Sequence, residues 1–228
     1  MTIEDVLEKL RSAGTAQNRK VYGKHGVGGD MFGVSYANLG ALKKKIGTNQ
    51  ALAEALWATG NHDARVLATM VADAGAMNKR QIDGWAKDLD NYVITDAFSK
   101  LASRALFAKE KMEKWSRSRD EWVCSAAWTV LAHLAMDDER VPDEFLNRQL
   151  KTIEDKIHDQ KNRVRHAMNM ALISIGIRNG KLEKAALAAA GRIGRVTVDH
   201  GETSCRTPDA TGYIQQTIQR KRNRKKPG

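Results

Sequence analysis

No proline interrupts the first 141 residues of this 228-residue chain; the only three are Pro142, Pro208 and Pro227. A proline inside a helix removes a backbone hydrogen bond and clashes with the preceding turn, at a cost of about 3 kcal/mol. Its absence leaves room for long helices, and the abundant Ala, Leu, Lys, Arg and Glu favour them. Thr2 is placed to cap a first helix reaching Ala13, with Ile3, Val6, Leu7 and Leu10 at helical spacing. Gly23, Gly26, Gly28 and Gly29 then predict a loop of about ten residues. Ser35 opens a helix carrying Leu39, Leu42 and Ile46, which Gly47 ends. Thr48 starts another with Leu52, Leu56 and Trp57 inward, and Asn61 caps the one holding Val66, Leu67, Met70 and Val71. Asn78 begins a helix to Trp85, and Asp90 or Asn91 caps one with Val93, Ile94, Phe98 and Leu101. Further helices are expected over 106–115, 120–135, 143–158, 161–178 and 181–193, with a short one over 211–220. Positions 138–143 read as a loop, and Val196-Thr197-Val198 as extended chain.

Ten or more amphipathic helices joined by short polar loops, with no long period-two alternation, predict an all-α chain. Such helices bury their apolar faces best by stacking as successive pairs, although a compact bundle satisfies the same pattern. Residues 1–200 form a single helical-repeat domain on this reading, and 201–228 an irregular C-terminal segment with a basic tail.

Lys and Arg number 38 against 27 Asp and Glu, a net charge of +11. Six of those positive charges sit in the run from Arg220 to Lys226, which reads as a flexible solvated arm and leaves +5 for the body. A surplus outside the tail points to a polyanionic partner, since each neutralised phosphate releases condensed counterions. Lys43, Lys44, Lys45, Arg65, Lys79, Arg80, Arg163 and Arg165 lie near predicted helix ends, where cations and backbone amides can face phosphate together. The five tryptophans fall among Leu and Val and read as core anchors.

Other classes find little support. No apolar run approaches the ~20 residues of a membrane span, and the acidic amphipathic start is unlike a signal peptide. Cys124 and Cys205 form neither a disulfide framework nor a metal pair by spacing, so a reducing cytoplasm is expected. His200 and Cys205 lack two further ligands for zinc, and the Gly23–Gly29 stretch lacks the Gly-Lys-Ser/Thr ending of a phosphate loop. No metal or organic cofactor is expected.

Four stretches together go beyond a generic helical protein. They are Phe32-Gly33-Val34-Ser35-Tyr36-Ala37-Asn38-Leu39 with Lys44-Lys45-Ile46-Gly47; Leu52 to Arg65, containing Gly60-Asn61-His62-Asp63-Ala64-Arg65; Leu89-Asp90-Asn91-Tyr92-Val93-Ile94-Thr95-Asp96; and Arg119-Asp120-Glu121-Trp122-Val123. In this order and spacing the chain resembles the DNA alkylation repair enzymes, a family of HEAT-like-repeat DNA glycosylases, over roughly residues 30 to 180. The resemblance implies an all-α HEAT-like helical-repeat solenoid whose basic concave face holds duplex DNA. It also implies excision of cationic N3- or N7-alkylpurines, with no lesion flipped into a pocket, unlike most glycosylases. Positive charge on such a base already weakens the glycosidic bond. A carboxylate that stabilises the cationic sugar and positions a water then suffices.

By this resemblance Asp96 takes the place of the catalytic aspartate, and Tyr92, one helical turn earlier, that of a tryptophan. Ser125 stands where active members carry an arginine that contacts DNA, and Met170 where they carry a second tryptophan. The expected function is therefore a DNA-binding protein of the alkylation-repair type that excises alkylated purines. The alternative is a noncatalytic binder of duplex or branched DNA on the same scaffold, and a third reading is a protein–protein scaffold with an incidental basic tail. A monomeric, cytoplasmic, nucleoid-associated protein completes the expectation.

Overall fold

The computed structural model describes residues 1–137 and 141–224. The basic residues Lys225 and Lys226, and residues 138–140 of the predicted 138–143 loop, lie outside the described residues. Among the described residues the only regular elements are helices, with one isolated antiparallel bridge between Gly14 and Val34. The chain divides into two compact units, Met1–Ala108 with Gly201–Thr203, and Lys109–His200 with the chain from Ser204 onward.

The first unit holds α1 (Ile3–Ala13), α2 (Ala16–Lys24), α3 (Tyr36–Ile46), α4 (Gln50–Ala58), α5 (His62–Val71), α6 (Lys79–Lys87) and α7 (Tyr92–Ala102). Each begins where a side chain can satisfy amides that the helix leaves open. Thr2 and Asp5 form a reciprocal capping box on α1, at 3.2 and 3.0 Å. Thr15, Ser35, Asn49, Asn61, Asn78 and Asn91 cap the next six. Asn49 rather than Thr48 therefore starts α4.

α2 falls inside a stretch that the glycine pattern assigned in part to loop. It has no buried residue, so it shows no apolar stripe. Side-chain bonds hold it instead: Asn18 Nδ2 donates to Gly33 O at 3.0 Å, Arg19 to Phe32 O at 3.1 Å, and Tyr22 Oη to Val34 O at 2.5 Å. Behind this layer Val6, Leu10, Leu39, Leu56, Leu67, Ile82, Ile94 and Phe98 are almost fully buried. Trp57 and Trp85 stack in the core with ring centroids 4.1 Å apart and planes 3° apart.

The second unit holds most of α8 (Ala108–Trp115), then α9 (Glu121–Asp137), α10 (Asp143–Lys156), a 3-10 turn (Ile157–Asp159), α11 (Asn162–Gly176), α12 (Gly180–Ile193) and α13 (Ala210–Arg224). Ala126, Ala127, Ala167 and Ala171 are buried and let α9 and α11 approach along their length. Most helices pack on their immediate or next-nearest neighbours in sequence, α4 on α5, α5 on α7, α9 on α11, α10 on α12 and α11 on α12, while α1 packs on α4 and α5. That pattern belongs to stacked helix pairs, not to a bundle closed by long crossovers.

One C-terminal expectation changes. Val196-Thr197-Val198 lies outside any helix, as expected of extended chain, but residues 220–224 are the end of a helix rather than a solvated arm. Ile214 and Ile218 bury one side of α13, Lys221 Nζ donates to Ile177 O at 2.8 Å, and Arg222 pairs with Glu183 at 3.2 Å. Gly176 makes this close approach possible. A Cβ there would lie 2.7 Å from Ile214 Cδ1 and 2.9 Å from Ala186 Cβ. Gly176→Val should therefore destabilise the protein by about 1–3 kcal/mol through overpacking, read as a lowered urea midpoint at unchanged slope. An unchanged midpoint would mean that α13 moves aside at no cost.

Candidate functional site

In the first unit, local structure is organised around the buried carboxylate of Asp63, in the first turn of α5. It accepts three backbone N–H groups: Phe32 at 2.6 Å, Gly33 at 3.0 Å and Val34 at 2.7 Å. Asn61, next to it, caps α5 and donates to Asp30 at 3.0 Å, while His62 N donates to Asp30 O at 2.9 Å. The Asn61-His62-Asp63 motif thus clamps the 30–34 loop onto a helix N-terminus. Gly33 is required there, because its φ of 79° suits glycine and a Cβ would lie 2.7 Å from Thr15 O. His62 itself is buried edge-on to Tyr22, with ring centroids 5.7 Å apart, and its Nε2 has no hydrogen-bond partner among the described residues. Burial holds its pKa below the ordinary histidine value.

Beyond the clamp, His25 meets Tyr92 at the start of α7, and Tyr36 lies within electrostatic reach of Asp96, while Tyr22 lies beside His62. Asp96 is exposed on that helix, one turn after the half-buried Tyr92. The Tyr92 hydroxyl is hydrogen-bonded to His25 Nδ1, and the two rings meet edge-on at 5.7 Å. Tyr36, 48% exposed, has its phenol pushed up to about 12, first by burial and then by Tyr22, Asp96 and Asp63. Its hydroxyl therefore stays protonated at any physiological pH and can donate. An exposed carboxylate within electrostatic reach of neutral phenols can stabilise positive charge that develops beside it.

His25, Tyr22 and Tyr36 are the residues that sequence reasoning missed here. The stretch Gly60 to Arg65 carries the family resemblance and the Asn61 cap, but nothing in it shows the loop that Asp63 holds.

In the second unit, Ser125 lies on α9 and is buried, with its hydroxyl 3.4 Å from Arg163 O. It packs between helices instead of facing solvent, so the sequence expectation of a DNA contact does not fit its placement. Arg163 and Arg165 lie in the first turn of α11, preceded by Lys161, whose Nζ donates to Arg119 O at 2.8 Å. Positive side chains at the positive end of a helix dipole are unfavourable, by about 0.3–1 kcal/mol each. One carboxylate offsets them in part, since Glu121 accepts from Arg163 N at 2.7 Å.

His166, in the same turn, is driven down to about 4, first by burial and then by the charges of Arg163 and His200. Its Nδ1 is 3.4 Å from Thr207 Oγ1, which also lies 2.9 Å from His200 Nε2. Asn162 and Asp199 exchange two hydrogen bonds of 2.7 Å, and Asn169 Nδ2 donates to Pro208 O at 3.0 Å. Asp199, Thr207 and Pro208 thus lie against α11, on which Met170 is half-buried.

The remaining predicted cations divide into two kinds. Lys43, Lys44 and Lys45 are exposed in the last turn of α3, and Lys79 and Arg80 in the first turn of α6. Arg65 is committed internally: it donates to Trp57 O and Asp88 O, lies 3.8 Å from the Asp88 carboxylate and sits 5.3 Å over the Trp57 ring. It braces α4, α5 and the end of α6, so its charge is already matched.

Among the described residues, no three His, Cys, Asp or Glu side chains are placed to hold a metal ion, and no helix is long and apolar enough to cross a membrane.

Comparison with known proteins agrees with this architecture. Two uncharacterized proteins, from Listeria innocua and Listeria monocytogenes, are each 25% identical over 96% of this chain and 99% of their own length. A solved structure, described as a new family of proteins related to the HEAT-like repeat DNA glycosylases with affinity for branched DNA structures, superposes with a TM-score of 0.90. It is 30% identical and covers 97% of this chain and 96% of its own. The all-α, HEAT-like repeat fold is thereby matched along nearly the whole length. The model of the DNA alkylation repair enzymes matches residues 3–214, and the chain belongs to that family.

Proposed function

We propose that this protein binds the phosphate backbone of DNA, and that the first turn of α11 is a principal point of attachment. The observation that carries the reading is the gathering of Lys161, Arg163 and Arg165 at the positive end of one helix dipole, where burial and then the Arg163 charge keep His166 neutral. An anion near this turn would relieve like-charge repulsion and meet the helix's positive end at once. Arg165 Nε is buried without a hydrogen-bond partner among the described residues, which leaves a donor to satisfy. Lys43, Lys44, Lys45, Lys79 and Arg80 add exposed charge in the other unit. The structural neighbour's described affinity for branched DNA supports the ligand class.

Measured by fluorescence anisotropy on a duplex and a four-way junction, affinity should fall steeply with salt. Arg163→Gln/Arg165→Gln should weaken binding to both probes and lower the magnitude of the log–log salt slope by about 2, one for each phosphate that is no longer neutralised. An unchanged slope would remove α11 from the interface. Ending the chain at residue 218 makes a second check: loss of all affinity would assign binding to the C-terminal helix instead.

A second reading, excision of cationic alkylated purines, rests on the exposed Asp96 one turn from Tyr92. Its readout is release of the base, which a noncatalytic binder would not produce.

A further inference from the structure

A cleft of about 250 Å³ opens in the second unit among α8, α9, α10, the 3-10 turn and α11. It takes no part in the interface proposed above, and its lining is unusual for a gap between packed helices. Trp128 and Met168 are buried beneath it, while the walls carry Arg117, Lys156, Gln149, Gln160, Ser116 and Thr152. Its one carboxylate, Glu113, is already paired with Lys109 at 3.0 Å. Arg117 and Lys156 are exposed, and neither charge is matched by a carboxylate among the described residues. The hydroxyls of Ser116 and Thr152 donate to Glu113 O and Arg148 O, each at 3.1 Å, so both oxygens keep lone pairs for a donor in the cleft.

We propose that this cleft is a binding site for a phosphate monoester carried on a sugar, as in a nucleoside monophosphate or a 5′-phosphorylated DNA end. A monoester dianion fits two cations from separate segments, Arg117 in the turn after α8 and Lys156 at the end of α10, and charge-assisted bonds are the strongest that such a site can offer. The hydroxyl oxygens and the two amides suit the donors and acceptors of a sugar, and the Trp128 side chain supplies an apolar floor. The volume lies below the ~300–1,000 Å³ of drug-sized pockets and favours a ligand of nucleotide size or smaller.

The two sources share one chemistry and separate by experiment. Isothermal titration of the full chain with 2-deoxyribose 5-phosphate and with dAMP should give saturable binding, and deoxyadenosine should give none. Arg117→Gln and Lys156→Gln should each weaken dAMP binding roughly tenfold, about 1.4 kcal/mol. Both side chains are exposed, so unchanged unfolding midpoints should accompany the weakened binding. Preference for a 5′-phosphorylated over a 5′-hydroxyl oligonucleotide, abolished by the same variants, would assign the site to a DNA end; dAMP binding without that preference would assign it to the free nucleotide. The proposal is overturned if deoxyadenosine binds as well as dAMP, if no phosphate ester binds, or if neither substitution changes dAMP affinity. None of these outcomes depends on whether Arg163 and Arg165 touch DNA.

Discussion

Asp63→Ala should cost about 3–5 kcal/mol of stability, the largest single-residue effect expected in the first unit. The carboxylate is 1% exposed and accepts the amides of Phe32, Gly33 and Val34, so its removal strands three donors that water reaches poorly. An orphaned buried donor costs about 1–3 kcal/mol, and loop relaxation keeps the three from adding in full. Asp63→Asn should be milder but still destabilising, because an amide keeps one acceptor oxygen and turns its NH2 toward an N–H group. Urea unfolding of the three proteins measures the series. A loss below about 1 kcal/mol for Asp63→Ala would mean that the 30–34 loop is not held by this clamp. Since the same loop accepts from Tyr22 and leads into Tyr36, which lies within electrostatic reach of Asp96, loosening it should also impair whatever the Asp96 site does.

How far the sequence anticipates this architecture depends on where each signal resides. α1 runs from the Thr2 cap to Ala13 as its spacing predicts, and Asn78 and Asn91 cap α6 and α7, because caps and stripes are local features. α2 escapes because it buries nothing and is held by side-chain bonds to residues 32–34. α13 outruns its predicted end at 220 because partners that no local pattern reveals, Ile177 and Glu183, take up the Lys221 and Arg222 charges. The same division holds at the site. Asp96 and Tyr92 are legible as an i, i+4 pair, whereas His25 meets Tyr92 across 67 positions. Arg65 and Ser125 look like solvent-facing candidates in one dimension. Only the fold commits one to Asp88 and Trp57 and buries the other against Arg163.

Asp96→Asn should lower release of N3- or N7-methylpurines from methylated duplex DNA by about a hundredfold, while DNA affinity stays within twofold, roughly. The change swaps atoms of nearly equal size at an exposed position, so it removes negative charge and leaves the fold intact. Cleavage of an alkylpurine leaves positive charge on the sugar, and a carboxylate stabilises that charge far better than an amide does. Tyr36, with its phenol at about 12, stays neutral under assay conditions and does not supply the lost charge. Tyr92→Phe removes the hydroxyl held by His25 and keeps the ring, so it separates the phenol's role from that of the aromatic face. Equal release by wild type and Asp96→Asn would take Asp96 out of the mechanism. Release at background in both proteins, with salt-dependent DNA binding intact, would leave a family member that retains the scaffold for binding alone. That outcome would accord with Ser125 and Met170, which stand where the family resemblance implies an arginine and a tryptophan in active members.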